Sequence, residues 1–103
     1  MSAWHPIAEG FPNGVGSEGG QVRLDEEHPL GARVTLEEGG ATAPWAITCG
    51  IYGAMCHTIF LGSEDEGRAA VARVKAHLEA ILAMSGEADD AFYAAITRFV
   101  DTF

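Results

Sequence analysis

Three residues with reactive side chains lie close together in the middle of the chain: Cys49, Cys56 and His57. A cysteine acts as a nucleophile when its thiol is deprotonated, often by an imidazole within hydrogen-bond reach. Zinc instead requires four converging ligands, commonly supplied by closely spaced pairs of cysteines. The spacing C-x6-C-H is not of that kind. The chemistry open to these residues therefore depends on which of them face each other.

The segment that carries them is predicted to form a β-hairpin with strands at 45–52 and 55–61. The intervening Gly-Ala at 53–54 is typical of a two-residue type II′ turn. Such a turn places Tyr52 opposite Met55 and fixes the pairing of every residue behind them. Both faces of this hairpin are largely apolar, so we expect both to be covered.

The predicted register places Cys49 and Cys56 on one face of the hairpin and His57 on the other. Neither thiol then reaches the imidazole. Free cysteine buried in a core behaves as a small apolar residue. We therefore predict that both cysteines are reduced and structural, with metal or redox use as the alternative, and we assign no catalytic residue, no metal and no cofactor.

The face that carries His57 is the predicted binding surface. In the same register His57 lies opposite Gly50, and a glycine beside a large ring leaves a dent that a ligand or a partner can fill. For His57 itself we favour the other interpretation, a half-buried histidine whose hydrogen bonds are satisfied at the sheet surface. The candidate ligand or interface residues are Tyr52, Met55, His57 and Ile59.

Two helices are predicted after this hairpin. Ser63 and Glu66 have the capping-box spacing, so a helix over 64–84 is expected, with Gly86 as its C-terminal cap residue. A second helix is expected over 87–102. Apolar residues recur at helical spacing in both: Val71, Val74, Leu78, Ile81 and Leu82 in the first, and Phe92, Ile96, Phe99, Val100 and Phe103 in the second.

An earlier hairpin is predicted over 21–38. The sequence Pro-Leu-Gly at 29–31 suits a three-residue loop that ends in a left-handed glycine. A register shifted by one residue would oppose apolar with charged side chains throughout. The register that avoids this sets Leu24 opposite Leu36 on one face, and Glu27 opposite Arg33 and Arg23 opposite Glu37 on the other.

Strands followed by helices indicate an α+β fold: a four-stranded antiparallel meander of two β-hairpins, then two C-terminal helices packed on one face. We expect a Gly/Pro-rich N-terminal arm over 1–20 and a single α+β domain over 21–103. The G-x-G-x-x-G pattern at 14–19 lacks the preceding strand and following helix that a dinucleotide site needs. It is therefore predicted to be a flexible loop.

Charge limits the classes of partner. The chain has 103 residues and a net charge of −9, which argues against nucleic acid and against anionic membrane surfaces. Residues 39–63 carry no charge, but the glycines and His57 spread through them argue against a membrane span. The N-terminal residues have neither the basic start nor the apolar run of a signal peptide, so none is predicted. Together with reduced cysteines, this favours the cytoplasm.

Two classes of function remain. The first is a small acidic domain of bacterial type that serves as a protein-interaction module, either as a homodimer or as an inhibitor of a basic partner. The alternative is a small-molecule-binding protein or a small enzyme with a site around His57 and Tyr52. The two differ in whether the second apolar face is closed by another chain or remains a pocket with His57 in its wall.

Overall fold

The computed structural model describes residues 3–7, 14–84 and 90–103. Five antiparallel strands form one sheet in the order of the chain, and two helices follow. The elements are β1 (His5–Pro6), β2 (Gln21–His28), β3 (Ala32–Glu38), β4 (Trp45–Ile51), β5 (Met55–Leu61), α1 (Glu64–Leu82) and α2 (Asp90–Thr102). The α+β class is confirmed. The sheet has five strands rather than the expected four, because β1 adds to the free edge of β2.

The strand β1 belongs to the segment predicted to be an arm. The Ile7 amide donates to the Asp25 carbonyl at 3.1 Å, which ties this segment to β2. Trp4 is buried, and its indole Nε1 donates to Glu79 Oε1 at 2.7 Å. Residues 3–7 are therefore held both by the sheet and by α1.

The hairpin β2–β3 has the predicted register over most of its length. Leu24 pairs with Leu36, and Glu27 pairs with Arg33. A bulge at Arg23 then shifts the pairing. The Arg23 guanidinium lies 3.0 Å from the Glu38 carboxylate. The predicted pair of Arg23 with Glu37 was wrong, because an extra residue in a strand re-aims its side chain.

The hairpin β4–β5 differs from its predicted register by one residue. Ile51 pairs with Met55, so the loop has three residues rather than two. The Ala54 amide donates to the Ile51 carbonyl at 2.9 Å, and Gly53 takes a positive φ of 77°. Because side chains alternate along a strand, this shift turns all of β5 over relative to the prediction.

Both helices lie on one face of the sheet, here called the helix-covered face. The predicted N-cap of α1 is confirmed, since Ser63 Oγ accepts from the Glu66 amide at 3.2 Å. The helix ends at Leu82 with Ala83 as its cap, and the proposed cap Gly86 lies outside the described residues. Apart from Val100, which is exposed, the apolar stripes of both helices meet the sheet in one core. Its central side chains are Val34, Leu36, Ile47, Cys49, Val74, Leu78 and Phe99.

The other face of the sheet, here called the open face, is crossed at one end by the glycine-rich strap, residues 14–20. Its amides at Glu18 and Gly20 donate to the Glu37 carboxylate at 3.2 and 2.8 Å. A Cβ on Gly16 would lie 2.7 Å from the same carboxylate, so only glycine admits this approach. The strap was predicted to be a flexible loop. Instead its backbone encloses the carboxyl group of Glu37, a residue that is 1% exposed.

Candidate functional site

The shifted register of β4–β5 separates the four predicted site residues. Met55, His57 and Ile59 point to the helix-covered face, where Ile59 is part of the core and Met55 packs against it. Tyr52 lies in the turn and is 56% exposed. The prediction that all four lie on one face away from the helices was therefore wrong, whereas a binding role for these residues stays a prediction.

Cys49 and His57 lie directly opposite each other in the ladder, on the same face. The expectation that they are on opposite faces was wrong. The Cys49 thiol donates to the His57 carbonyl oxygen at 3.5 Å. Burial raises the pKa of this thiol to about 12, with a smaller contribution from Cys56. The raised pKa favours the neutral thiol over the thiolate, which is the nucleophilic form.

The imidazole of His57 packs against α2 rather than lining a dent. Its ring meets the Phe99 ring edge-on, with the centroids 6.2 Å apart. The buried Nε2 atom has no hydrogen-bond partner among the described residues. A histidine with satisfied hydrogen bonds, the interpretation that the sequence favoured, is therefore wrong for the Nε2 atom.

Gly50 does leave a dent, but on the open face and opposite Cys56. A Cβ at this position would lie 2.9 Å from the Met55 carbonyl oxygen, so the strand pair requires glycine here. The dent belongs to a hollow of about 470 Å³. The side chains and backbone around it include Arg33, Thr35, Thr48, Gly50, Tyr52 and Cys56.

The polar wall of the hollow is held by side chains of the hairpin β2–β3, here called the charged hairpin. Arg33 donates to both carboxylate oxygens of Asp25, at 2.9 and 2.6 Å, and Thr35 Oγ1 donates to the same group at 3.2 Å. The Tyr52 hydroxyl donates to Glu27 Oε2 at 2.6 Å, and this bond raises the pKa of the phenol. The pair of Arg33 with Asp25 neutralises their two charges, and both sets of contacts fix the wall in place.

The outer part of the open face is apolar. Phe60 is 47% exposed and Cys56 is exposed beside it. Cys56 was predicted to be a core residue, and the shift in register reverses the orientation of both side chains. The signal that could have placed them correctly is the turn, because Gly53 also fits a three-residue loop, which moves Cys56 and Phe60 outward.

The described residues contain no group of three or more histidine, cysteine and acidic side chains placed to hold a metal ion. Among the described helices, none is both long and apolar enough to cross a membrane. Comparison of this chain with protein-family models, with curated proteins and with solved structures finds no match. The functional argument therefore rests on the open face itself.

Proposed function

We propose that this chain is a protein-interaction module that binds through the uncharged end of its open face. One observation carries the proposal. Both helices cover the opposite face, while Tyr52 and Phe60 stay 56% and 47% exposed on the outer part of the sheet. Large aromatic side chains on an exposed, largely apolar surface are typical of binding sites.

The distribution of charge supports this proposal. Residues 39–63 carry no charged side chain, although the whole chain has a net charge of −9. An uncharged patch on an acidic molecule has the anatomy of an interface, in which a desolvated centre is surrounded by a charged rim. The patch is formed by Tyr52, Cys56, Thr58 and Phe60, which we call the uncharged patch.

The module acts either as a homodimer or as an inhibitor of a basic partner. An acidic surface attracts a basic protein over long range and speeds their association. A second copy of the chain, in contrast, is repelled by the net charge and must bind where charges are absent. We place the protein in the cytoplasm in this proposal, because both cysteines are free thiols.

The test is a charge placed in the uncharged patch. Phe60→Lys should abolish binding to the partner, whether that partner is a second copy or a basic protein captured from the native host. Thr97→Lys puts the same charge on the exposed face of α2 and should leave binding intact. A wild-type chain that is monomeric and captures nothing, or captured proteins that bind Phe60→Lys equally well, would contradict the proposal.

The hollow of about 470 Å³ favours a second candidate, a small-molecule site. Its volume falls within the range of about 300–1,000 Å³ that is usual for ligand pockets. Arg33 is already paired with Asp25, so the ligand is expected to be a neutral aromatic molecule that packs against Tyr52. His57 has no part in this site, because it lies on the other face.

Indole is a suitable probe for this second candidate. It should shift the amide NMR signals of Gly50, Tyr52 and Cys56 in the wild-type chain, and Cys56→Trp should prevent the shifts by filling the hollow. Titration without any change in these signals would exclude an aromatic-ligand site.

A further inference from the structure

The strand β5 forms one edge of the sheet, and alternate residues of an edge strand point their backbone groups outward. The Tyr52 amide donates to the Gly31 carbonyl at 2.9 Å, so the even-numbered residues of β4 bond to β3. The backbone groups of the odd-numbered residues of β4 therefore form hydrogen bonds with the odd-numbered residues of β5. This leaves the amides and carbonyls of Cys56, Thr58 and Phe60 directed away from the sheet.

The described residues donate no hydrogen bond to these three carbonyls and accept none from these three amides. The edge also lacks the usual protection against strand pairing. Seven residues long, β5 contains no charge and no proline, and its ladder with β4 runs without a bulge. At the other edge of the sheet, β1 has only two residues, one of them Pro6. The two edges are thus very different, and only β5 presents a long pairing surface.

We propose that two copies of this chain pair through β5 in antiparallel orientation, with the two-fold axis at Thr58. This rests on the interaction module proposed above and names its partner. Pairing centred on Thr58 sets Thr58 opposite Thr58 and Cys56 opposite Phe60 of the second copy. All three outward residues are then in hydrogen-bonded pairs, and three pairs that exchange two bonds each give about six hydrogen bonds.

The register follows from the ends of the strand. Thr58 is the middle residue of Met55–Leu61, so pairing centred there keeps every partner within β5. A centre one residue earlier or later pairs Ala54 or Gly62, which lie outside the strand, and leaves fewer bonds within it. Side chains also match, because Phe60 of each copy covers the exposed Cys56 of the other on the open face.

Charge explains why the two copies meet here. Each chain carries a net charge of −9, so association is opposed wherever carboxylates face each other. All residues within this pairing lie in the uncharged stretch 39–63. The resulting ten-stranded sheet brings Phe60 of the second copy to the rim of each hollow, since it lies next to Cys56. The partner thus completes the site rather than covering it.

Disulfide cross-linking tests the register. In a Cys56→Ser background, Thr58→Cys places two thiols opposite each other with their Cα atoms about 5.5 Å apart, within the range of a disulfide. Mild oxidation should give a covalent dimer on a non-reducing gel. The wild-type chain is the control, because its two Cys56 residues would be offset by four positions, about 13 Å along the strands. It should stay uncross-linked.

Light scattering distinguishes the possible failures. The wild-type chain and Thr97→Lys should have the mass of a dimer, and Thr58→Lys that of a monomer with an unchanged circular dichroism spectrum. A wild-type monomer at high micromolar concentration overturns the β5 dimer, as does a dimer in which Thr58→Cys does not cross-link. In either case the interaction module still stands if a host protein is captured and Phe60→Lys releases it.

Discussion

The hairpins β2–β3 and β4–β5 belong to the same sheet but are held in register by different forces. A shift of one residue in β2–β3 would carry its charges into the core and break the bidentate pair of Arg33 with Asp25. A shift in β4–β5 exchanges the even-numbered for the odd-numbered side chains of β5, and neither set carries a formal charge. Charges thus define the first hairpin, whereas the second depends on its turn and on the helices above it.

The largest effect on stability is expected at Phe99 of α2. Its ring packs against His57 of the hairpin β4–β5, here called the uncharged hairpin. Phe99 is 2% exposed, and truncation of a core phenylalanine to alanine costs about 3–5 kcal/mol. Phe99→Ala should therefore lower the free energy of unfolding by that amount in a urea titration. Val100→Ala, at the next and more exposed position, should cost less than about 1 kcal/mol. If Phe99→Ala costs no more free energy of unfolding than Val100→Ala, the packing of Phe99 against His57 contributes little, and α2 does not support β5.

The same contrast explains which parts of the fold could be predicted from the sequence. Ser63 and Glu66 mark the start of α1 through local capping chemistry, and the charges of β2–β3 penalise every register but one. In β4–β5 no charge distinguishes the two registers, and Gly53 fits both a two-residue and a three-residue loop. The wrong choice there misplaced the candidate site and Cys56, whereas Cys49 is buried as predicted.

The strap could not be predicted, because its order comes from a long-range contact. Glu37 lies far along the chain from Gly16 and Gly20, and nothing in the glycine pattern identifies a carboxylate as the group it encloses. The bulge at Arg23, which changes the pairing of β2 with β3, has no sequence signal of its own either.

The second-largest effect is expected from the buried carboxylate of the charged hairpin. Glu37→Ala removes the acceptor for the amides of Glu18 and Gly20, and buried donors left unpaired cost about 1–3 kcal/mol. Thermal unfolding should show a loss of that size, with faster amide exchange at Gly20. Glu38→Ala is the matched control, since its exposed pair with Arg23 contributes at most about 1 kcal/mol. A loss no greater than that of the control would mean that the strap is not held by Glu37.

A smaller effect, of opposite sign, is expected at His57. Its Nε2 is buried without a partner among the described residues, and an apolar replacement removes the cost of burying that group, about 1 kcal/mol or more. His57→Leu should therefore raise the melting temperature. The same change at His77, an exposed residue of α1 whose ring meets that of Phe103, keeps an apolar contact there and should leave the melting temperature nearly unchanged. A fall in stability for His57→Leu would show that the imidazole has a bonding role.

The smallest effect concerns the hydrogen bond that joins the two hairpins, from the Tyr52 hydroxyl to Glu27. This bond is the main cause that raises the pKa of Tyr52 above its ordinary value of 10.0. A raised pKa in the folded state means that the bond stabilises the fold fully below the ordinary value, and that this contribution is lost as pH rises through the folded pKa.

Ultraviolet absorbance of tyrosinate measures this pKa directly. A Tyr93→Phe background leaves Tyr52 as the only tyrosine of the two in the chain. Glu27→Gln should then lower the midpoint towards the ordinary value, because a neutral amide no longer disfavours the phenolate. Glu26→Gln is the control, since Glu26 pairs with Lys75 on the helix-covered face and should leave the midpoint unmoved. A midpoint that stays the same in Glu27→Gln would mean that the turn of the uncharged hairpin is not tied to the charged one.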